Sequence, residues 1–477
     1  MTGISGSSRS NVRLRSPSLT VMLFLIMVTV SCSSGAGVNK GTAGSDRGRG
    51  VSPEPTEPAR RDPATYRTGV LAPIVRTVPG AIQRGIFTAP EEHIEGLVRH
   101  LVSGERDEYK QVKNIHDWIA DNIAYDADSY FSGSIPGQSY AAVLRNRSSV
   151  CEGYAGLFKT MCDLAGIECV KVSGYARGYG YSVFDDEDVT KTNHAWNAVR
   201  IDDEWHLVDA TWNAGHVDGS SFIKRYSTKY LFLEPEKMIH THYPADAIWQ
   251  LIEPAIPAGD FMDLPQLVGW FFHYDIDLPM GTTRLIHTGE QYQMRLRTGE
   301  DVFLMANVFG ADGVQHRAFI QKQDGDTEIT FRFPGKGEWT ALIYAKSGDE
   351  ERYSGCAYFG FIASEGTDRS FPLQYSNYFD RNCYLFSPTH NPLTVGSTET
   401  FRLRLPGAIS VAILAEEEWT YLVQSEEGGD EWTGEFIVPE TDQVIVYGKW
   451  EGQEQYNGIM AFEVGKRSWL SSSRSPE

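Results

Sequence analysis

The 477-residue sequence predicts an α+β domain followed by two all-β, immunoglobulin-like sandwich domains. Three observations predict it. Apolar residues recur at helical spacing up to about residue 165, two alternating segments at 193–211 flank a tight turn, and the last 220 residues or so contain an internal repeat. The length allows about three compact units of ~100–200 residues. A hydrophobic content of 41%, with 23 Tyr and 23 Phe, is that of a folded globular protein.

The N-terminal elements are targeting rather than fold. Arg9, Arg13 and Arg15 precede an apolar stretch from Leu19 to Val30, too short to span a bilayer and of the length of a signal-peptide core. Thr29-Val30-Ser31-Cys32 then resembles a bacterial lipoprotein box, in which Cys32 becomes the lipidated first residue of the mature chain. Thr29 departs from the usual Leu or Val, so a plain cleaved signal is the alternative. Residues 1–31 are therefore expected to be a signal peptide. The chain is expected to be exported to the bacterial cell envelope as a lipoprotein, with Ser33 leaning toward the outer membrane. Residues 32–65 are rich in Gly, Ser, Pro, Arg and Thr and cannot bury enough surface to fold, so they read as a disordered tether.

The α+β domain is expected over 66–255. Ile94, Leu97, Val98 and Leu101 mark one amphipathic helix, and Val112, Ile115, Ile119 and Ile123 a second. Ser149 with Glu152 three residues on has the pattern of a capping box. Tyr154, Leu157, Phe158, Met161 and Leu164 then continue the helix to Gly166. Cys151 thus falls in a first turn, where the positive end of the helix dipole favours thiolate over thiol. A strand near 168–175 follows. The segments 193–201 and 204–211 read as a hairpin turning at Asp202-Asp203, pairing Ile201 with Glu204 and Trp196 with Asp209. His194 shares a face with Trp196 by the two-residue period, so His194 and Asp209 become diagonal neighbours. Asp209 can then hold the His194 tautomer while the other ring nitrogen faces Cys151, the logic of nucleophile, base and orienting group.

Each residue alone has a blander role: packing cysteine, satisfied strand histidine, cap-forming aspartate. Together they point to acyl transfer. Val150-Cys151-Glu152-Gly153-Tyr154-Ala155, Val172-Ser173-Gly174-Tyr175-Ala176-Arg177-Gly178, Asn193-His194-Ala195-Trp196-Asn197 and His206-Leu207-Val208-Asp209-Ala210-Thr211-Trp212 resemble, in order and content, the transglutaminase-like superfamily with its papain-like core. Tyr230-Leu231-Phe232-Leu233-Glu234-Pro235, His242-Tyr243-Pro244 and Trp249-Gln250-Leu251 are similar to the branch containing kyphoscoliosis peptidase and the yeast cytokinesis protein. The resemblance covers about residues 90 to 255. It implies Cys–His–Asp chemistry carried here by Cys151, His194 and Asp209, with a thioester that water or an amine resolves. The branch favours peptidase or amidase over transglutaminase. The backbone N–H of Cys151 is one expected oxyanion donor. Gln138 and Tyr140 are side-chain candidates that read more simply as loop residues.

Formal charge is −20, and removal of residues 1–31, which hold three arginines and no acids, takes it to −23. Such a surface repels nucleic acid. The expected partners are a protein or peptide substrate, peptidoglycan cross-links included, and the membrane through the lipid anchor. No cofactor is expected, and the absence of CxxC and HExxH patterns argues against zinc. The acidic run Asp185–Asp188 lacks EF-hand spacing and reads as a solvated loop. The glycines and tyrosines of residues 177–182 suit a mobile lip, and His116 reads as a packing or surface histidine. Without Cys32, five cysteines remain. Cys151 is then the free thiol, with Cys162–Cys169 and Cys356–Cys383 as candidate pairs or buried small hydrophobes.

The repeat closes the chain. Arg295-Leu296-Arg297, Phe333-Pro334, Ile343-Tyr344-Ala345-Lys346 and Tyr353-Ser354-Gly355 return as Arg402-Leu403-Arg404, Val438-Pro439, Val446-Tyr447-Gly448-Lys449 and Tyr456-Asn457-Gly458, offset by 103 to 107 residues. The sandwich domains are expected over 256–366 and 367–467, with a tail at 468–477. They carry no evident chemical constellation, which leaves spacing or binding. A second function class thus stands beside the enzyme: a surface adhesion or scaffold protein that keeps the fold without turnover.

Overall fold

The computed structural model describes residues 61–465 except 187, 324 and 349. The expected signal peptide, Cys32, all but the last residues of the expected tether, and the expected tail lie outside the described residues. By its internal contacts the chain divides into two units, one comprising the chain up to Lys171 with Ala195–Leu233, the other Val172–His194 with the chain from Glu234.

The first unit packs helices around the strands of a hairpin. Pro90–Leu101 begins with proline in its first turn, carries Glu91 and Glu92 there and Arg99 and His100 in its last turn, and so complements its own dipole. Glu108–Asn122 is capped by Asp107, whose carboxylate accepts from the Tyr109 N–H. The apolar residues expected on these helices, from Ile94 to Ile123, are all buried and share one core with Leu157, Phe158 and Met161 of the helix Cys151–Ala165. Leu164 does not join them and stands exposed. Gly166 ends that helix in the left-handed region at φ 80°.

The hairpin has the expected register. Ile201 opposes Glu204 and the ladder runs to Asn197 opposite Val208, while Asp202 and Asp203 turn at φ 52° and 63°. Positive φ at both central residues matches the strand twist, which explains a two-residue loop of aspartates. Val199, Ile201 and Val208 point into the core shared with the cysteine helix. Asn197, 1% exposed, donates to the carbonyls of Ala155 and Val170 and locks strand to helix. The sheet has five strands, in the order Leu231–Leu233, Glu204–Val208, His194–Ile201, Cys169–Ala176 and His242–Pro244. The two outer three-residue strands are absent from the sequence reading.

In the second unit, Arg177 is buried rather than part of a mobile lip. Its guanidinium donates to the carbonyls of His240, Phe261 and Leu264 and stacks 4.2 Å from the Phe261 ring centre. The loop beyond it is also held, because Arg284 donates to the Asp185 carbonyl. Asp188 takes its hydrogen bonds from Thr190 of the same turn.

Two all-β bodies follow in this unit. In the first, a six-stranded sheet built on Val302–Phe309, Gly337–Ser347 and Ser354–Ala363 shares a core with the three strands Gln291–Arg297, Phe319–Gln323 and Asp326–Arg332. In the second, a six-stranded sheet built on Ala408–Ala415, Gln443–Trp450 and Asn457–Gly465 shares a core with four strands that include Thr398–Arg404 and Glu431–Ile437. The repeat survives in detail: the ion pair Arg295–Glu328 of the first body returns as Arg402–Glu431 in the second. None of the five described cysteines forms a disulfide. Cys356 and Cys383 lie in different cores, so that pairing is overturned. Cys162 and Cys169 are neighbours as thiols, the other reading left open by the sequence.

Candidate active site

Cys151 is the first residue of its helix and is partly exposed. The cap differs from the expected box. Val150 is the N-cap and offers no side-chain hydrogen bond. Ser149 instead pairs in the short strand Ser148–Ser149 against Ala124–Tyr125, and its hydroxyl donates to Gln138 Oε1 at 2.6 Å and to the Val150 carbonyl. Glu152 pairs with Lys171. No cap side chain therefore competes for the positive helix end beside the sulfur. Gln138 is tied locally on both sides, since its amide nitrogen donates to the Pro136 carbonyl, while Tyr140 begins the helix Tyr140–Asn146. Gly153 is required at its place: a Cβ there would meet Ser149 Oγ at 2.1 Å and Val143 Cγ2 at 2.7 Å.

Asp209 leaves the ladder one step after Val208, sending its N–H to the Tyr230 carbonyl. It is fully buried and caps the helix Ala210–Ala214, with Oδ1 accepting from the N–H groups of Thr211 at 2.8 Å and Trp212 at 3.0 Å. The cap role is thus present in this carboxylate, whose plane the two backbone donors fix. His194 opens the strand His194–Ile201 and is partly exposed. Its ring centre lies 5.4 Å from that of buried His242, whose Nδ1 is 2.8 Å from Thr241 Oγ1. His194 thus stands beside a second imidazole of its own unit, and two adjacent imidazoles can pass a proton.

Tyr125 joins Cys151 to Asp209. Burial raises its phenol well above the usual range, and the negative charges of Cys151 and Asp209 add to the effect, which places all three groups in one electrostatic neighbourhood. Tyr125 therefore stays a neutral O–H, a donor at any physiological pH. Neither Tyr125 nor His242 has a role in the sequence analysis, although His242 stands in a motif that carries the family resemblance. His116 is a structural residue, fully buried, with Nδ1 2.9 Å from Asp117 and Nε2 2.9 Å from Asn213. Trp196 is buried and Trp212 packs edge-on against Tyr230.

Residues 95–210 match the model of the Transglutaminase-like superfamily. The chain is 28% identical to kyphoscoliosis peptidase of Mus musculus over 62% of its own length and 45% of that protein's. It is 37% identical to the Homo sapiens kyphoscoliosis peptidase over 34% of this chain and 24% of that one. To cytokinesis protein 3 of Schizosaccharomyces pombe it is 23% identical over 44% of this chain and 24% of that one. The matches span less than half the length of these relatives.

Proposed function

We propose, for a chain whose residues 95–210 form a transglutaminase-like domain, that it is an exported, membrane-tethered cysteine enzyme acting on protein or peptide amide bonds through a thioester. Cys151 is the nucleophile, His194 the base and Asp209 the orienting acid. The observations that support this are Cys151 at the start of its helix, Asp209 acting with it on Tyr125, and His194 beside a second imidazole.

In this reading His194 takes the thiol proton as Sγ bonds to the amide carbon. The negative oxygen so formed faces the N-terminal end of the Cys151 helix, where a backbone N–H can receive it. His194 then returns its proton to the leaving amine as the C–N bond breaks. Water, deprotonated by His194, opens the thioester, and the thiol is restored. An amine in place of water would make the same site a transamidase, and the peptidase names of the mammalian relatives favour water. Cys32 supplies the lipid anchor, residues 32–65 the tether, and cell-envelope proteins or peptidoglycan peptides the substrate.

Iodoacetamide labelling near neutral pH tests it. The other described cysteines are buried, and burial raises the thiol pKa of Cys162, Cys356 and Cys383, the last to about 12, so label on the native chain reports Cys151. Cys151 should react faster than glutathione and slow in His194→Ala. A rate equal to glutathione's and indifferent to His194 would leave a scaffold without turnover. Peptide cleavage against incorporation of an amine probe into glutamine peptides then separates hydrolysis from transamidation.

A further inference from the structure

The second all-β body carries a feature its repeat partner lacks. Glu418–Tyr421 is the last strand in its sheet's order, and Trp419 and Tyr421, two residues apart, share the solvent face at 41% and 60% exposure. The register extends this face into a row. Tyr421 opposes Ala412, Ala412 opposes Tyr447, and Tyr447 opposes Gly458. A Cβ on Gly458 would come within 3.0 Å of the Tyr375 ring and 3.8 Å of the Tyr447 ring, so Tyr375 completes the row. Aromatic and small residues thus alternate across the sheet, Tyr421, Ala412, Tyr447, Gly458, Tyr375. With strands ~4.8 Å apart, aromatic positions recur about every 10 Å, and the small residues let the rings close over the sheet, with Ala412 fully buried and Gly458 against the Tyr375 and Tyr447 rings. Trp419 lies 5.3 Å from Tyr447 and 5.1 Å from Tyr456, which thickens the strip into a cluster.

The first body keeps Tyr344 and Tyr353 where the second has Tyr447 and Tyr456, but its edge strand is Gln315–Arg317, with His316 and Arg317 instead of exposed rings. Trp419 and Tyr421 are additions to the repeat, and both keep much of their surface in solvent although they pack on Tyr456.

We propose that this strip is a binding site for a neutral polysaccharide. Aromatic faces offer flat apolar surface with hydrogen-bonding groups at their edges. A pyranose ring has the matching form, an apolar C–H face rimmed by hydroxyls, and an extended glycan repeats that face along a row of rings. Tyr456 shows the edge chemistry within the protein, its hydroxyl 2.8 Å from Ser410 Oγ. Charge selects against the alternatives. Exposed Glu416, Glu417, Glu418, Glu451 and Glu454 surround the strip and repel phosphate, sulfate and uronate polymers. Lys449 Nζ already lies 5.7 Å from the Tyr456 ring centre, which fills the place a cationic partner would take there.

The test is affinity electrophoresis of the full chain through gels cast with hydroxyethyl cellulose, xylan, galactomannan or laminarin, beside polygalacturonate and polylysine. At least one neutral polymer should retard the chain. Trp419→Ala with Tyr421→Ala should weaken the association at least tenfold at an unchanged melting temperature, and Trp419→Phe should keep most of it. Iodoacetamide labelling of Cys151 should be the same in all variants, which keeps this site separate from the catalytic one. No retardation by any neutral polymer, retardation untouched by the double substitution, or retardation by polylysine alone would each overturn the assignment.

Discussion

Asp209 caps a helix and, in the proposed mechanism, orients His194, and two substitutions pull these roles apart. Asp209→Ala removes an acceptor from the Thr211 and Trp212 N–H groups, 2.8 and 3.0 Å from Oδ1. Loss of an N-cap acceptor costs about 1 kcal/mol at a wet helix end. Here the carboxylate is fully buried and Thr211 is 6% exposed, so water cannot replace it, and a buried donor left unmade costs about 1–3 kcal/mol. The expected loss is about 2–4 kcal/mol in urea unfolding. Asp209→Asn keeps an oxygen for both N–H groups and should stay within about 1 kcal/mol of the parent, since asparagine caps as well as aspartate. Its amide N–H₂ replaces the acceptor that His194 needs. The wrong imidazole tautomer should lower amide turnover on the order of 10⁴-fold, the loss seen for such a change in a serine protease triad. An Asp209→Asn protein as unstable as the alanine variant, or one with full turnover, would refute the division of roles.

Other residues give separable outcomes. Gly153→Ala forces a Cβ into Ser149 Oγ and Val143, so it should cost about 1–3 kcal/mol and slow Cys151 labelling by shifting the first helical turn. Asp117 accepts from the Ala72 N–H, Lys113 and Tyr226, and lies beside His116. Burial alone would raise its pKa, but His116 and Lys113 hold it below the usual value, so its contribution is present above the unfolded carboxylate pKa and is lost as pH falls. Asp117→Ala should therefore cost about 3–5 kcal/mol at pH 7 in urea unfolding and less in acid. Burial lowers the Lys224 pKa to about 8, against 10.5 when unfolded. The unfolded chain binds more protons between those values, so the cost of burying the cation is present below pH 8 and fades toward 10.5. Lys224→Met should raise stability at pH 7 by about 1–2 kcal/mol after allowance for partial exposure, because Tyr154 still donates to the Ile123 carbonyl that Lys224 leaves. A melting-temperature gain that persists at pH 10.5 would contradict it.

What the sequence discloses here is what neighbours along the chain decide. The hairpin register is readable because a two-residue turn and the two-residue side-chain period leave one arrangement, and Asp202 and Asp203 suit the turn. The start of the Cys151 helix is readable to the residue, yet its cap is not. Ser149 had a competing offer from Gln138, eleven residues earlier, and no local rule weighs one acceptor against the other. Arg177 shows the same limit at longer range. Followed by Gly178-Tyr179-Gly180 it has the composition of a loop, but its guanidinium is satisfied by carbonyls 63 to 87 residues downstream. His242 sits in a three-residue strand, too short for any periodic signal, and gains meaning only beside His194. The aromatic strip follows the same logic, since Tyr375, Tyr421 and Tyr447 form a row only once strand pairing has supplied Ala412 and Gly458 between them. Geometry set within one hairpin can thus be read in advance. Chemistry assembled across strands of distant origin has to wait for the sheet, and in this protein both His242 and the strip belong to that second kind.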